Sequence, residues 1–455
     1  MSARHAVADR LQGAGRHTPL ETGLTRLRSL ASPYVGVVKD VTELLHDADD
    51  VRSYYIGTGT PDTTDVLGHP CNSMNGGGAF SRDEALAAAL GESIERYAAA
   101  HRPVERILVG TAAEFGRACI DPARCALFAP EQHATPGFPY QPFTETTTTS
   151  WIDGIDLRSG DAVLIPAQMV LLNSERARGE QRICYGTSSG LACHSTIAEA
   201  TLGGLFELAE RDAVMIAWHA RLTMPQLDLA ADPALRALLD RHVTPTGLRY
   251  SAVDLTAING VPTVLGVVIN DVSNVGALGV GAASAPTLAE AAVKAILEAF
   301  QTRTWSKSMQ RSTPRVPDDA DLDRAISDFD AHVRYYADAE RLPLAEFLWA
   351  SDERVDPREG TRLEGDTPGE LIASFLEVPQ LADVSFYATD LTTVDVRDAD
   401  LRVVRCYSPE LQPLDVGFRT RFLGGQRLRH RPVEMGCATE PLTFAQMNPA
   451  PHPFP

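Results

Sequence analysis

The sequence predicts a mixed α/β fold in which helices from an internal duplication line one cleft between sheets. Three observations predict it. Tyr250-Ser-Ala-Val-Asp-Leu-Thr256, followed by Val264–Val268, is echoed by Phe386-Tyr-Ala-Thr-Asp-Leu-Thr392, followed by Leu401–Cys406. Each reads as strand, polar turn, strand. Glu92-Ser-Ile-Glu95-Arg96 is echoed by Glu207-Leu-Ala-Glu210-Arg211, both inside Ala/Leu-rich helical stretches. Finally, three helical stretches are apolar over most of their circumference and carry only narrow polar stripes, so they are buried on most sides.

The elements follow in order. A leading helix is expected at Leu20–Leu30, then strands at Tyr34–Val41 and Val51–Gly57. The run Asn75-Gly-Gly-Gly78 breaks the chain before a long helix, Asp83–Ala100. Residues 130–150, with four prolines and four consecutive threonines, read as a surface loop. Strands return at Asp161–Leu172 and Arg182–Tyr185, before helices at Ile197–Arg221 and Pro286–Trp305. Charged, Pro-bearing stretches at 311–325 and 352–368 read as loops. Three regions result: 1–70 as a leading strand/helix region, 71–440 as the large central domain and 441–455 as a proline-rich tail.

Composition excludes whole classes of function. With 44% hydrophobic and 22% charged residues the chain has the usage of a packed globular protein, not a disordered one. The net charge of −19, with Lys39, Lys294 and Lys307 as the only lysines, is the wrong sign for a nucleic-acid binder that works by displacing phosphate counterions. The most apolar stretch, 275–300, is interrupted by Glu290, Lys294 and Glu298, and the first residues lack the apolar core of a signal peptide. A cytoplasmic protein away from membranes is expected. The seven cysteines are irregularly spaced and form no C-x-x-C, so buried reduced thiols are expected.

The polar stripes carry the chemistry. Residues three and four apart share a helix face, which puts Glu92 beside Glu95 and aligns Glu199, Gly203, Glu207 and Glu210. A third stripe holds Glu290, Lys294, Glu298 and Gln301. Taken singly, each stripe is most simply a solvated face. Taken together, on helices otherwise buried, they direct carboxylates into a cleft. Converging carboxylates repel and take up protons unless cations sit between them. Oxygen-only ligands suit Mg²⁺, which usually keeps sites for phosphate oxygens. The residues alone therefore lead to a Mg²⁺–phosphate site, and one without a Walker A loop, because the chain has no Gly-Lys dipeptide. A rival motif, Gly186-Thr-Ser188-Ser-Gly190, fits the nucleophile elbow of a serine hydrolase, with Ser188 as nucleophile and His430 as its base. It gives no reason for the glutamates.

At these residues the sequence resembles the YcaO family of ATP-dependent enzymes. The segments that carry the resemblance are Ala88-Ala-Leu-Gly-Glu-Ser-Ile-Glu-Arg96, Thr187-Ser-Ser-Gly-Leu-Ala-Cys-His-Ser-Thr196 with Glu199, Gly204-Leu-Phe-Glu-Leu-Ala-Glu-Arg-Asp212 and Lys294-Ala-Ile-Leu-Glu-Ala-Phe-Gln-Thr-Arg303. It implies a YcaO-type fold around ATP and Mg²⁺. Glu92, Glu95, Glu207, Glu210 and Glu298 would hold the metal, and Ser195, Glu199, Arg211, Lys294 and Arg16 would bind nucleotide. Ala88, Ser195 and Lys294 depart from the residues common in the family, and no role carries over to Ala88.

The end of the sequence, Pro451-His-Pro-Phe-Pro455, reads by itself as an extended tail. Alternating prolines also make a stiff rod that can deliver its end to a fixed point at little entropic cost. It is similar to the tail of azoline-forming YcaO cyclodehydratases, which implies a catalytic carboxylate at Pro455. The implied reaction begins when a Cys, Ser or Thr side chain of a ribosomal precursor peptide attacks the preceding carbonyl. ATP phosphorylates the resulting oxygen, and phosphate leaves to give a thiazoline or oxazoline. The resemblance also implies a separate ThiF-like partner that binds the leader peptide, a flavin dehydrogenase acting afterwards, and a homo-oligomer. Thioamide or macroamidine formation is the alternative within the family, and an ATP-binding docking scaffold is the non-enzymatic one.

Overall fold

The computed structural model describes residues 18–67, 69–172 and 177–454. Helix α1 (Leu20–Ser29) leads into three antiparallel strands, β1 (Asp40–Glu43), β2 (Tyr54–Gly59) and β3 (Met74–Ala79). Helix α2 (Arg82–Ala100) follows. A six-stranded sheet has the order β4-β5-β13-β14-β7: β4 (Leu108–Gly110), β5 (Thr149–Asp156), β7 (Leu191–His194), β13 (Tyr387–Asp390) and β14 (Arg402–Tyr407), with β6 (Ala162–Pro166) paired on β5. A five-stranded sheet has the order β11-β10-β9-β8-β12: β8 (Gln226–Leu227), β9 (Arg249–Asp254), β10 (Thr263–Ile269), β11 (Leu278–Ser284) and β12 (Arg354–Val355). All pairings are antiparallel except β8 with β12.

Both echoes have structural counterparts. Strands β9 and β10 flank a helical turn, Thr256–Asn259, and β13 and β14 flank another, Val394–Asp398. The second echo places its Glu-x-x-Glu-Arg motifs on α2 and on α3 (Ile197–His219). The third long helix, α4, spans Leu288–Ser312. Helix α2 packs on β2, β3 and β7, α3 packs on strands of both larger sheets, and α4 packs on β10 and β11 and touches β3. Three helices thus tie three sheets together.

Each of these helices starts at the same device. Ser81, Thr196 and Thr287 are N-caps that accept the amide N–H of Glu84, Glu199 and Glu290, and each glutamate in turn accepts its cap's hydroxyl at 2.6–3.0 Å. This S/T-x-x-E signal marks helix starts that periodicity alone misplaces by a residue or two. Helix α4 outruns its expected end at Trp305 because its last turns are tied down. Lys307, almost fully buried, sits 2.9, 3.2 and 2.5 Å from Asp47, Asp49 and Asp50, and buried Arg303 pairs with Asp49.

Alternation in β10 divides the core. Leu265, Val267 and Ile269 face one apolar cluster with Trp218 and Tyr336, whereas Val264 and Val268 face another with Ala291, Ala295 and Phe300 of α4. The approach of α4 is set by missing side chains. A Cβ at Gly266 or Gly279 would overlap the carbonyl oxygen of Ala295 or Ala299, and one at Gly281 would stand 2.6 Å from Glu298 Cβ. Likewise a Cβ at Gly77 would stand 2.7 Å from Ala88 Cβ on α2. Backbone rests on backbone at both helices.

Several expectations need correction. Tyr34 and Val35 are exposed and precede the strand, which starts only at Asp40. Residues 130–150 are not simply a surface loop, because Tyr140 is buried and stacked on Phe128, with ring centroids 4.7 Å apart. The strand expected through Leu172 stops at Pro166, where a short helix, Ala167–Val170, takes over. Arg182–Tyr185 is irregular, held instead by hydrogen bonds such as Ile183 N–H to Gln168 Oε1. The stretch 311–325 includes the end of α4 and a short helix, Leu322–Ala325. All seven cysteines are free thiols, three of them buried.

Candidate functional site

Helices α2, α3 and α4 converge at their glutamates. On α2, Glu92 accepts the Gly76 N–H at 3.2 Å, and Arg96 lies 3.3 Å from Glu92 and 3.6 Å from Glu95. The echo on α3 repeats this arrangement, with Arg211 3.6 Å from Glu207 and 3.4 Å from Glu210. On α4, Glu298 accepts the Ala282 N–H at 3.0 Å. The Gly-rich strand β3 and the Gly-rich strand β11 thus each offer a bare backbone N–H to one carboxylate.

The carboxylates share one field. Burial holds Glu95 well above the ordinary carboxylate range; Arg96 opposes this, while Glu207 and Glu92 add to it. Burial likewise lifts Glu210 well above that range, opposed by Arg211 and reinforced by Glu298 and Glu207. Glu207 is raised by burial against the pull of Arg211, Arg96 and Arg405. Glu298 is pushed up to about 7, by burial first, with Arg211 and the Ala282 N–H opposing and Glu207 and Glu92 adding. Carboxylates from three helices therefore compete for too few cations. Among the described residues no three His, Cys, Asp or Glu side chains stand around one metal-sized point, and the glutamates lean on their own arginines instead. A half-buried, all-oxygen, mutually repelling donor set nevertheless fits Mg²⁺ chemically, because added cations would relieve the field.

A cleft with about 970 Å³ of empty space, open to solvent, adjoins the α2 carboxylates. Glu92, Glu95 and Ala88 line it from α2, Leu20 and Gly23 from α1, and Ser195 and Glu199 from the β7–α3 junction. Glu199 is already engaged, accepting the Thr18 N–H at 2.5 Å and the Thr18 hydroxyl at 3.1 Å besides capping α3. Lys294 is exposed on α4 and electrostatically close to Glu210. The structure therefore brings Glu92, Glu95, Ser195 and Glu199 to one cleft. Glu207, Glu210, Arg211 and Glu298 form the adjoining cluster, with Lys294 at its rim. Arg16 and Pro455 lie outside the described residues.

Two features could not be placed from the sequence. Arg405 on β14 is buried against the same carboxylates; its guanidinium donates to the carbonyls of Thr187 at 2.5 Å and Met169 at 3.0 Å. Burial brings it down to about 10, against the pull of Glu207 and Glu95. Its signal was a lone charge in the apolar run Val403-Val404-Arg405-Cys406. The second is the reach of the tail. The carbonyls of Ala450, Pro451 and His452 accept hydrogen bonds from Trp218 Nε1 at 3.3 Å, Tyr336 Oη at 2.7 Å and His332 Nδ1 at 2.8 Å. Phe454 is 1% exposed, and its ring lies under the Arg211 guanidinium at 4.7 Å.

The nucleophile-elbow reading fails on geometry. Among the described residues, 177–187 form no strand leading into Ser188, and its loop runs into strand β7, not into a helix. His430 is exposed on the helix Gln426–Glu434.

Comparison with known proteins agrees with this layout. The family model described as YcaO cyclodehydratase, ATP- and Mg²⁺-binding, matches residues 75–412, most of the chain. A heterocyclase solved in complex with substrate and cofactor shares 25% identity at a TM-score of 0.78, over 97% of this chain and 58% of that one. The YcaO protein from Methanopyrus kandleri bound with AMPPCP and Mg²⁺ has the same fold, with a TM-score of 0.59, 19% identity, and 87% and 92% of the two chains covered. An uncharacterized protein in the tfuA 3′ region of Rhizobium leguminosarum bv. trifolii is 33% identical over 180 residues, 36% of this chain and 42% of its own length. The chain thus spans well under two thirds of the Rhizobium protein and of the heterocyclase. ATP and Mg²⁺ are the cofactors that go with the family model. With that model matched across all three glutamate-bearing helices, the chain belongs to the YcaO family.

Proposed function

We propose that the chain is an ATP-dependent peptide cyclodehydratase that converts Cys, Ser or Thr of a ribosomal precursor peptide to thiazoline or oxazoline. The observation that carries azoline formation over thioamide or macroamidine formation is the docked tail, whose Phe454 packs on the arginine of the second glutamate motif. In this reading Glu92, Glu95, Glu207, Glu210 and Glu298 hold Mg²⁺. Ser195, Glu199, Arg211, Lys294 and Arg16 contact nucleotide, and Pro455, next to the placed Phe454, takes the amide proton. Residues 71–440 form the catalytic unit and 441–455 its positioned tail.

The chemistry suits the electrostatics. An amide oxygen is a poor leaving group, and phosphorylation makes it a good one. Bound Mg²⁺ would neutralise phosphate oxygens, and the carboxylates that hold it would release their protons to solvent. Arg211 and Arg405 supply fixed positive charge where the oxyanion of the attacked amide develops, and burial keeps that charge effective. A separate ThiF-like protein that captures the leader, a homo-oligomer and a later flavin dehydrogenase belong to the same proposal.

The test is intact-mass analysis of a precursor peptide co-expressed with this chain and the leader-binding partner. Each cyclised residue should cost one water, and ¹⁸O placed in the attacked amide should appear in the released phosphate. Exchange of oxygen for sulfur in the product would point to a thioamide synthase instead. Absence of ADP release under conditions that support modification would favour the scaffold.

A further inference from the structure

Across Arg211 from the tail lies a second, narrow cavity, partly open to solvent, that the nucleotide cleft does not include. Its walls are apolar and aromatic: Met169, Tyr185, Leu208, Tyr407, Leu411 and Phe422. Yet Ser189, Gln412, Arg405 and Arg211 line it as well. Among the described residues Ser189 Oγ, Gln412 Oε1, Arg405 Nε and Arg211 Nε are buried without any hydrogen-bond partner. Ser189, Gln412 and Arg405 are each at most 5% exposed. Buried polar atoms are paired almost everywhere in folded proteins, so a cluster of orphans around one cavity marks a missing partner.

The missing partner has a definite chemistry. Two guanidinium donors, one amide acceptor and one hydroxyl match the alternating C=O and N–H of a peptide backbone, and the apolar walls match an uncharged side chain. Thr187 and Ser189 come from the Gly186–Gly190 loop, the serine motif that is no nucleophile elbow. We infer that this cavity is the acceptor subsite for the peptide, holding the apolar residue whose carbonyl is attacked, with the Gly186–Gly190 loop as its cradle. The inference rests on the proposed cyclodehydratase reading and adds a specificity to it. A charged residue at that position is disfavoured, because its charge would be desolvated against the apolar and aromatic walls.

The probe is a blocked tripeptide, acetyl-Xaa-Cys-Gly-amide, with a trifluoromethyl-labelled leucine or a lysine at Xaa. Its binding to the intact chain with Mg²⁺ and AMPPCP is read by ¹⁹F line broadening for the leucine peptide, and by competition for the lysine peptide. We expect saturable binding of the leucine peptide, with the lysine peptide and Ser189→Leu each weaker by about tenfold or more. Ser189→Ala, which leaves the cavity open, should weaken binding several-fold, and neither variant should alter AMPPCP affinity. Unchanged AMPPCP affinity also shows that Ser189→Leu is folded. Equal peptide binding by wild type and both variants, or no saturable binding by wild type, would overturn the subsite. The cyclodehydratase reading is judged separately: water loss from the full precursor by Ser189→Leu at the wild-type rate would remove the subsite and leave that reading intact.

Discussion

Phe454→Ala should release the tail without touching the carboxylates. The ring is 1% exposed, packs in the cluster with Trp218, Tyr336 and Leu423, and carries the Arg211 guanidinium on its face. Truncating a buried Phe to Ala costs about 3–5 kcal/mol. The hydrogen bonds to the carbonyls of residues 450–452 survive the change, so the lower figure applies to tail docking. About 3 kcal/mol is roughly a hundredfold in the docking equilibrium. Native-state hydrogen exchange of the segment 447–454 reads that equilibrium directly, and its protection should fall by about that factor. Azoline formation should fall in parallel, while AMPPCP affinity holds. Phe454→Leu, which keeps most of the burial and loses the cation–π contact, should lose only about 1 kcal/mol. Unchanged exchange in Phe454→Ala would show that the ring does not hold the tail. Full protection with lost product would show that the tail acts by something other than its position.

Four further outcomes are expected. Glu207→Ala and Glu298→Ala should each abolish ATP turnover in a folded protein and raise the cation-free melting temperature by relieving repulsion; normal ADP release by either would remove it from the metal set. Because Glu298 sits at about 7 in the fold, above its ordinary 4.5, its stabilising contribution is complete below that ordinary value and is lost as pH rises through 7. The cation-free protein should therefore melt lower at pH 8 than at pH 5. Binding of Mg²⁺ with AMPPCP at pH 7 should release roughly half a proton from Glu298 alone, and calorimetry in buffers of different ionisation enthalpy would expose zero release. Ser188→Ala should change peptide modification by no more than a few-fold, since Ser188 shapes a loop; complete loss with intact AMPPCP binding would reopen a covalent role.

Much of the frame was legible because helices announce themselves locally. The runs around Glu92, Glu207 and Glu298 are periodic, so their helices and the faces bearing carboxylates follow from spacing. The caps at Ser81, Thr196 and Thr287 are equally local signals; they fix the starts at Arg82 and Leu288, which spacing alone misplaces, and agree with the expected start at Ile197. What stayed hidden depends on partners distant in sequence. Arg182–Tyr185 has strand-like residues but finds its hydrogen bonds at Gln168 and elsewhere, not in a sheet. Arg405 reaches the carboxylates only because β14 lies beside β7. The proline tail reads as a stiff rod, but where it docks was not legible because its anchors, Trp218, His332 and Tyr336, are more than a hundred residues away.

The glycine contacts beneath α2 and α4 have a consequence for how a cation could enter. Where two backbones touch, neither helix can shift without lifting off its sheet, so the carboxylates cannot drift apart to relax their mutual repulsion. Nor do they need to be gathered when an ion arrives, because the scaffold holds the helices together beforehand. The empty and filled states then differ in side-chain rotamers and protons, with the helix axes in place. Ion capture becomes an exchange of one kind of positive charge for another on a fixed frame, with no domain motion required.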